Sequence, residues 1–239
     1  MKKAWYVGAM ALTLSAQCFA QTAGKLEPID KVYLKVPEPS DMAYDAERNS
    51  FWVVSDNGIL FELNTAYEVL RQSAEIATDL EGVAVYGDYV LCVDETYRKV
   101  LFVRRDNLNL ERAVELPYLG GRNQGYESLA VKPKQQGFYL ITERNPIWLM
   151  SFDAAFNKQD TRRLEMAEDI SAAVFHQGHL WLLSDEDRMV FKCDAEGQKI
   201  LSSWKLDVLN PEGLCFDASG KMYVVSDDRA LLYIFQAPK

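Results

Sequence analysis

Residues 211–235 read PEGLCFDASGKMYVVSDDRALLYIF, and this stretch decides the fold. It opens on an acidic residue and a glycine, Glu212-Gly213. A short apolar segment follows, Leu214 to Phe216, and then a polar turn over Asp217 to Lys221. An apolar run, Met222 to Ser226, ends in Asp227, and a third apolar segment spans Leu231 to Phe235. Short strands joined by tight polar turns predict antiparallel hairpins.

The same grammar recurs four times. LEGVAV (80–85) leads to LCVDE (91–95), and YESLAV (126–131) leads to FYLITE (138–143). ISAAV (170–174) leads to LWLLSD (180–185), and PSDMAY (39–44) leads to WVVSD (52–56). Ser40, Glu81, Glu127, Ser171 and Glu212 form one column, at successive spacings of 41, 46, 44 and 41 residues. A period of about 40–50 residues with several strands per repeat predicts a β-propeller. Five inner strands predict five blades, with repeats starting near residues 38, 79, 125, 169 and 210.

Outer strands are expected over 67–70, 112–116, 162–166 and 201–204. The last repeat runs out of chain after its third strand. The spare strand at 32–36, VYLKV, is therefore expected to complete the last blade and close the ring, leaving no long open edge. The middle strands are apolar at nearly every position, as expected for strands covered on both faces. Small residues follow the first column: Gly82, Ser128, Ala172 and Gly213. Strands crowd near a propeller axis, so small side chains fit there. Asp41 breaks this rule.

The amino terminus carries Lys2 and Lys3, an apolar stretch over 4–14 and SAQCFA (15–20). This is the pattern of a signal peptide, and cleavage is expected after Ala20. The apolar stretch is short for a membrane span, which needs about 20 residues, and no other segment suits one. Residues 21–239 then form a single all-β domain, exported to the periplasm or beyond and expected to be monomeric. The formal net charge is −9, and losing both lysines makes it more negative. Such a chain is a poor nucleic-acid binder, because phosphate contacts dominate that affinity. Cys92, Cys193 and Cys215 all fall in apolar strands and read as core residues; their spacing fits no zinc or redox motif. His176 and His179 read as a solvent-exposed turn. The longest irregular connection, PYLGGRNQG (117–125), reads as a surface loop. It lacks the Lys-Ser/Thr of a phosphate loop, and no motif for a catalytic triad, zinc protease or EF-hand is present.

Two oxygen-bearing columns remain. Glu81, Glu127 and Glu212, with Ser40 and Ser171, lie at the starts of inner strands and converge near the axis. Asp56, Glu95, Glu143, Asp185 and Asp227 lie at the ends of middle strands. Antiparallel pairing puts both columns on one rim. Crowded carboxylates raise one another's pKa unless a cation is present, and hard oxygen ligands without cysteine or paired histidine suit calcium. The second column also fits turn capping, or pairing with Arg98, Arg144, Arg188 and Arg229.

The motifs EPSDMAYD, DLEGVAVYG, GYESLAV, DISAAVF and NPEGLCFD, with their VVSD-type strand ends, resemble the SdiA-regulated, YjiK-like family over about residues 37–236. The resemblance implies a five-bladed propeller, distantly like NHL-repeat proteins, with a bound calcium ion and no settled activity. The usual pattern has glycine after the serine or glutamate of each inner strand; Asp41, Ser128 and Ala172 depart from it. Two main functions follow as expectations. One is a calcium-stabilised recognition face for a small molecule or envelope protein. The other is a calcium-dependent lactonase or esterase, resembling gluconolactonase and paraoxonase propellers, whose metal polarises the carbonyl. A purely structural scaffold is a third reading.

Overall fold

Inner strands that carry small residues at a crowded axis, and middle strands apolar on both faces, leave one way to bury both: radial sheets packed face to face. The computed structural model, which describes residues 22–117 and 125–238, has this form. The expected cleavage site after Ala20 and the middle of the 117–125 loop lie outside the described residues.

Each sheet runs from an inner to an outer strand. The first blade is β3 (Pro39–Asp45), β4 (Ser50–Ser55), β5 (Ile59–Leu63) and β6 (Val69–Gln72). The second is β7 (Leu80–Tyr86), β8 (Tyr89–Asp94), β9 (Lys99–Arg104) and β10 (Leu110–Glu115). The third is β11 (Tyr126–Val131), β12 (Phe138–Thr142), β13 (Trp148–Phe152) and β14 (Lys158–Arg163). The fourth is β15 (Ala172–His176), β16 (His179–Ser184), β17 (Met189–Cys193) and β18 (Ile200–Leu206). The fifth is β19 (Pro211–Phe216), β20 (Met222–Ser226) and β21 (Leu231–Phe235), completed by β2 (Asp30–Tyr33). Adjacent inner strands touch in the order β3, β7, β11, β15, β19 and back to β3, which closes a ring of five blades.

The closing strand β2 pairs antiparallel with β21, from Asp30 opposite Ile234 to Tyr33 opposite Leu231. Its span is earlier than the expected 32–36. Leu34 and Val36, past its end, instead sink into the core at 5% and 1% exposure. The third outer strand is also earlier than expected, at 158–163 rather than 162–166. Its burial pattern is largely exposed, so hydrophobic alternation gave no register. The sequence reading missed β1 (Thr22–Leu26), which adds a fifth strand to the fourth blade, parallel to β18 with Lys25 opposite Lys205.

Five apolar clusters fill the five interfaces between blades. Trp52, Val54 and Leu60 meet Leu80, Val83 and Val90 between the first two blades. Leu91 and Val93 meet Leu129 and Leu140 at the next interface, and Ile141 meets Leu180 and Leu182 at the third. Trp181, Trp204, Met222 and Val224 fill the fourth. Leu34, Val36, Phe51 and Tyr223 fill the seam where the ring closes. All three described cysteines are buried and unbridged, at Cys92, Cys193 and Cys215. His176 departs from expectation: it is half-buried and stacks on Phe216, with ring centroids 4.1 Å apart.

The seam generates a stability prediction. Leu34→Ala removes a buried aliphatic side chain from the interface where the N-terminal segment closes the ring, at a cost of about 2–5 kcal/mol. For a domain of this size that lowers the melting temperature by about 4–20 °C, measurable by circular dichroism. An unchanged melting temperature would show that the segment after β2 does not hold the ring shut.

Candidate functional site: an acidic rim on the propeller axis

Crowding at the axis is visible at the glycines of the inner strands. A Cβ on Gly213 would lie 2.6 Å from the Cα of Asp41, and one on Gly82 would lie 2.9 Å from the Leu129 amide nitrogen. Neither neighbour can yield, because both are backbone. Asp41, at the equivalent position of the first blade, uses its carboxylate as a strap. Its Oδ1 accepts hydrogen bonds from the Met42 amide at 2.8 Å and the Leu214 amide at 3.2 Å. Its Oδ2 accepts from the Val83 amide at 2.9 Å. The strap thus joins the inner strands of the fifth, first and second blades. Burial pushes the Asp41 carboxyl well above the usual carboxylate range, against the three amides that favour its anion.

The first acidic column sits where the inner strands bulge. The ladder register shifts across Pro39/Asp41, Leu80/Val83, Tyr126/Ser128 and Pro211/Gly213. Those steps bracket Ser40, Glu81, Glu127 and Glu212. A bulge puts two residues opposite one and re-aims a side chain out of the pleat, so four blades use the same device at the same height. In the fourth blade Ser171 lies just before β15, whose ladder starts with Ala172 opposite Leu183, and the Ser171 amide also donates to the Leu183 carbonyl at 3.0 Å. The two serines act between blades. Ser40 Oγ donates to the Leu80 carbonyl, and Ser171 Oγ donates to the Pro211 carbonyl at 3.0 Å.

Asp56, Glu95, Glu143, Asp185 and Asp227 each lie one residue past a middle strand. In three blades the turn that follows is closed by a left-handed residue, at Arg98 (φ 52), Arg188 (φ 52) and Ala230 (φ 47). Each returns its amide to the carbonyl of the acid three residues earlier. Pairing with the following arginine is realised at Glu143, which lies 3.0 Å from Arg144.

The three inner glutamates feel one another. Glu81 is raised well above the usual range by burial, then by the charges of Glu127, Asp56, Asp79 and Glu212. Glu127 is raised likewise by burial, then by Glu95, Glu143 and Glu212. Glu212 is pushed up to about 8 by burial and by Asp185, Asp227 and Asp56, and Asp185 to about 6 by burial and Asp169. Burial also raises Asp56, Glu95, Glu143 and Asp227.

The tightest grouping is Asp79, Glu81 and Glu95, whose ligand oxygens all lie within 4.8 Å of one another. All three are half-buried. The Gly125 amide donates to Glu95 Oε1 at 2.9 Å, and Thr96 Oγ1 donates to Asp79 Oδ2 at 3.1 Å. The sequence reading did not single out Asp79. Its counterpart two residues before the fourth column position is Asp169, which accepts from Ser184 Oγ and from the amides of Asp185 and Glu186. The signal was present in the repeated motif: DLE at 79–81 and DIS at 169–171 carry the same offset.

These shifts fix a pH dependence for metal-free protein. A carboxyl whose folded-state pKa lies above its unfolded value keeps a proton that the unfolded chain has released. Its stabilising contribution is complete below the unfolded value, about 4.5 for a glutamate, and is lost as pH rises through the folded value. In chelator, the melting temperature should therefore fall between pH 5 and pH 8, and Glu127→Gln should flatten that fall. A melting temperature that rises over the same interval would show that the rim carboxyls ionise without penalty.

Comparison with known proteins agrees with the geometry. The chain resembles glutaminyl cyclase of Myxococcus xanthus, with a TM-score of 0.71 and 13% identity over 90% of this chain and 98% of that one. It also resembles the β-propeller domain of Cps50 (Swd1) from Myceliophteria thermophila, with a TM-score of 0.51 and 13% identity over 85% and 66% of the two chains. Hydrazine synthase of Kuenenia stuttgartiensis matches at a TM-score of 0.52 and 11% identity, over 81% and 56%. At these identities the likeness is one of fold. The sequence profile of the SdiA-regulated proteins matches residues 25–236, and the chain belongs to the SdiA-regulated family.

Proposed function

We propose that this protein is an exported, calcium-binding propeller whose acidic rim serves recognition rather than turnover. The observation that carries the reading is the convergence of Asp79, Glu81 and Glu95 within 4.8 Å. Three half-buried carboxyls at that separation either take up protons or share a cation. The donors are all hard oxygens, fixed partly by the Gly125 amide and the Thr96 hydroxyl, which suits calcium and its flexible coordination. Glu127 stands next to Glu95, whose charge is the largest carboxylate influence on it, and would add a further oxygen. A bound calcium would supply positive charge on the rim at the second blade and hold the start of its inner strand against the turn after its middle strand. The residues around it would position the cation and leave the rest of the rim for a partner.

Export is supported by the Lys2–Ala20 pattern, and no helix of the described residues is long and apolar enough to cross a membrane. Intact-mass measurement of protein from the envelope fraction should show a chain beginning at Gln21. A mass that retains residues 1–20 would contradict cleavage.

Calcium binding is tested by calorimetric titration of chelator-treated protein. Extracellular calcium modules bind with dissociation constants of about 0.1–1 mM. At ten times such a constant, linkage adds about 1.4 kcal/mol, a rise of about 3–6 °C in melting temperature. Magnesium should do less, because it demands octahedral geometry and holds its water. Glu81→Gln and Glu95→Gln should each shrink the shift, and rates on a panel of lactones and aryl esters should stay flat with or without calcium. No heat and no shift at about 5 mM calcium, well above that affinity range, would sink the reading.

A further inference from the structure

On the rim face, between the third and fourth blades, lies a cleft of about 690 Å³. That is a size that takes a small organic ligand. Its exposed lining is mainly polar; Ile147 and Leu164 lie nearly covered beneath it, at 4% and 7% exposure, and the Leu164 amide donates to the Ile147 carbonyl at 2.9 Å. One wall is held in place by the Glu168 amide, which donates to Asp187 Oδ2 at 2.9 Å. The charged groups that line it come from separate segments. Arg144 follows β12, Arg163 ends β14, Glu168 lies on the connection into β15, and Glu186 follows β16.

These charges are loosely held. Arg163 meets Glu165 at 3.7 Å with both side chains about 60% exposed, a pairing worth little in water. Arg144 is 47% exposed and bridges Glu143 of the rim at 3.0 Å and Glu186 at 3.3 Å. With Glu165, the lining carries two cationic and three anionic side chains, so a ligand of either single sign would meet like charge. A ligand with both signs would satisfy it: guanidinium groups take a carboxylate through paired N–H donors, and exposed glutamates take an ammonium.

We infer that this cleft binds a small zwitterion of the short-peptide class, with a free carboxylate at Arg144 and Arg163 and a free ammonium at Glu168 and Glu186. The inference rests on the recognition reading above and names its ligand class. Because Arg144 pairs with Glu143, the ligand sits beside the acidic rim.

The test is titration of the full chain, in calcium, with the dipeptide Leu-Leu, its carboxyl-terminal amide and its N-acetyl form, followed by calorimetry. The free dipeptide should bind, and each blocked form should bind about tenfold more weakly, as expected for loss of one charge-assisted contact. Arg163→Gln should weaken the dipeptide but leave the amide unchanged. Glu168→Gln should weaken the dipeptide but leave the acetyl form unchanged. Both residues are exposed, so neither change threatens folding. Absence of dipeptide binding by the parent protein, or equal binding of all three probes, overturns the inference. The calcium-dependent melting shift is read on the same proteins. A normal shift without dipeptide binding removes the cleft reading alone; dipeptide binding without any calcium shift removes the cation reading alone.

Discussion

Everything in this structure depends on how closely five inner strands can approach one axis. The backbone-to-side-chain clearances at Gly82 and Gly213 leave no room for even a methyl group. That constraint explains the small residues at Ser128 and Ala172 as well. It also explains why Asp41 is tolerated: its carboxylate is not filling space but replacing solvent for the amides of Met42, Val83 and Leu214. A polar side chain is stable in such a place only when its hydrogen bonds are made. Asp41 therefore ties the first blade to both neighbours on the side where the ring must close.

The same crowding creates the acidic rim. A strand that starts close to the axis cannot point a long side chain inward within the regular pleat. The bulges at Glu81, Glu127 and Glu212 turn those side chains out of the ladder and toward one another. The result is a set of carboxyls each raised first by burial and then by its neighbours' charge. Ser40 and Ser171 occupy the two remaining positions and spend their hydroxyls on carbonyls of the next blade. The rim is thus asymmetric. Its carboxyl oxygens draw closest together at the second blade, where Asp79 and Glu95 join Glu81.

The repeat was legible because the blades restate it: an acid or serine, a small residue in all but the first blade, an apolar run, and an acid after the middle strand. Those features are dictated by the axis, which every blade shares. The outer strands were harder to place because Lys158–Arg163 and Leu110–Glu115 are mostly solvent-exposed and carry no alternation. β1 was invisible because its partner, β18, lies about 180 residues away, and parallel pairing at an edge leaves no local pattern in TAGKL. Asp79 was overlooked for a different reason. Its position in the column is filled by Glu38, Gly125, Asp169 and Asn210 in the other blades, so the eye that follows chemical sameness passes over it.

That irregular column separates what the fold needs from what the site adds. Asp169 is 2% exposed and accepts from the hydroxyl of Ser184 and the amides of Asp185 and Glu186, so it serves its own turn. Among the described residues Asp79 accepts from the Thr96 hydroxyl and remains half-buried beside two further carboxyls. Turn capping accounts for the first and leaves the second with oxygen lone pairs and negative charge in excess of its donors. Where equivalent positions share a backbone role but differ in how completely that role uses the side chain, the surplus marks the site. By that measure the proposed cation would find its uncompensated carboxylate oxygens at the second blade rather than at the geometric centre of the ring.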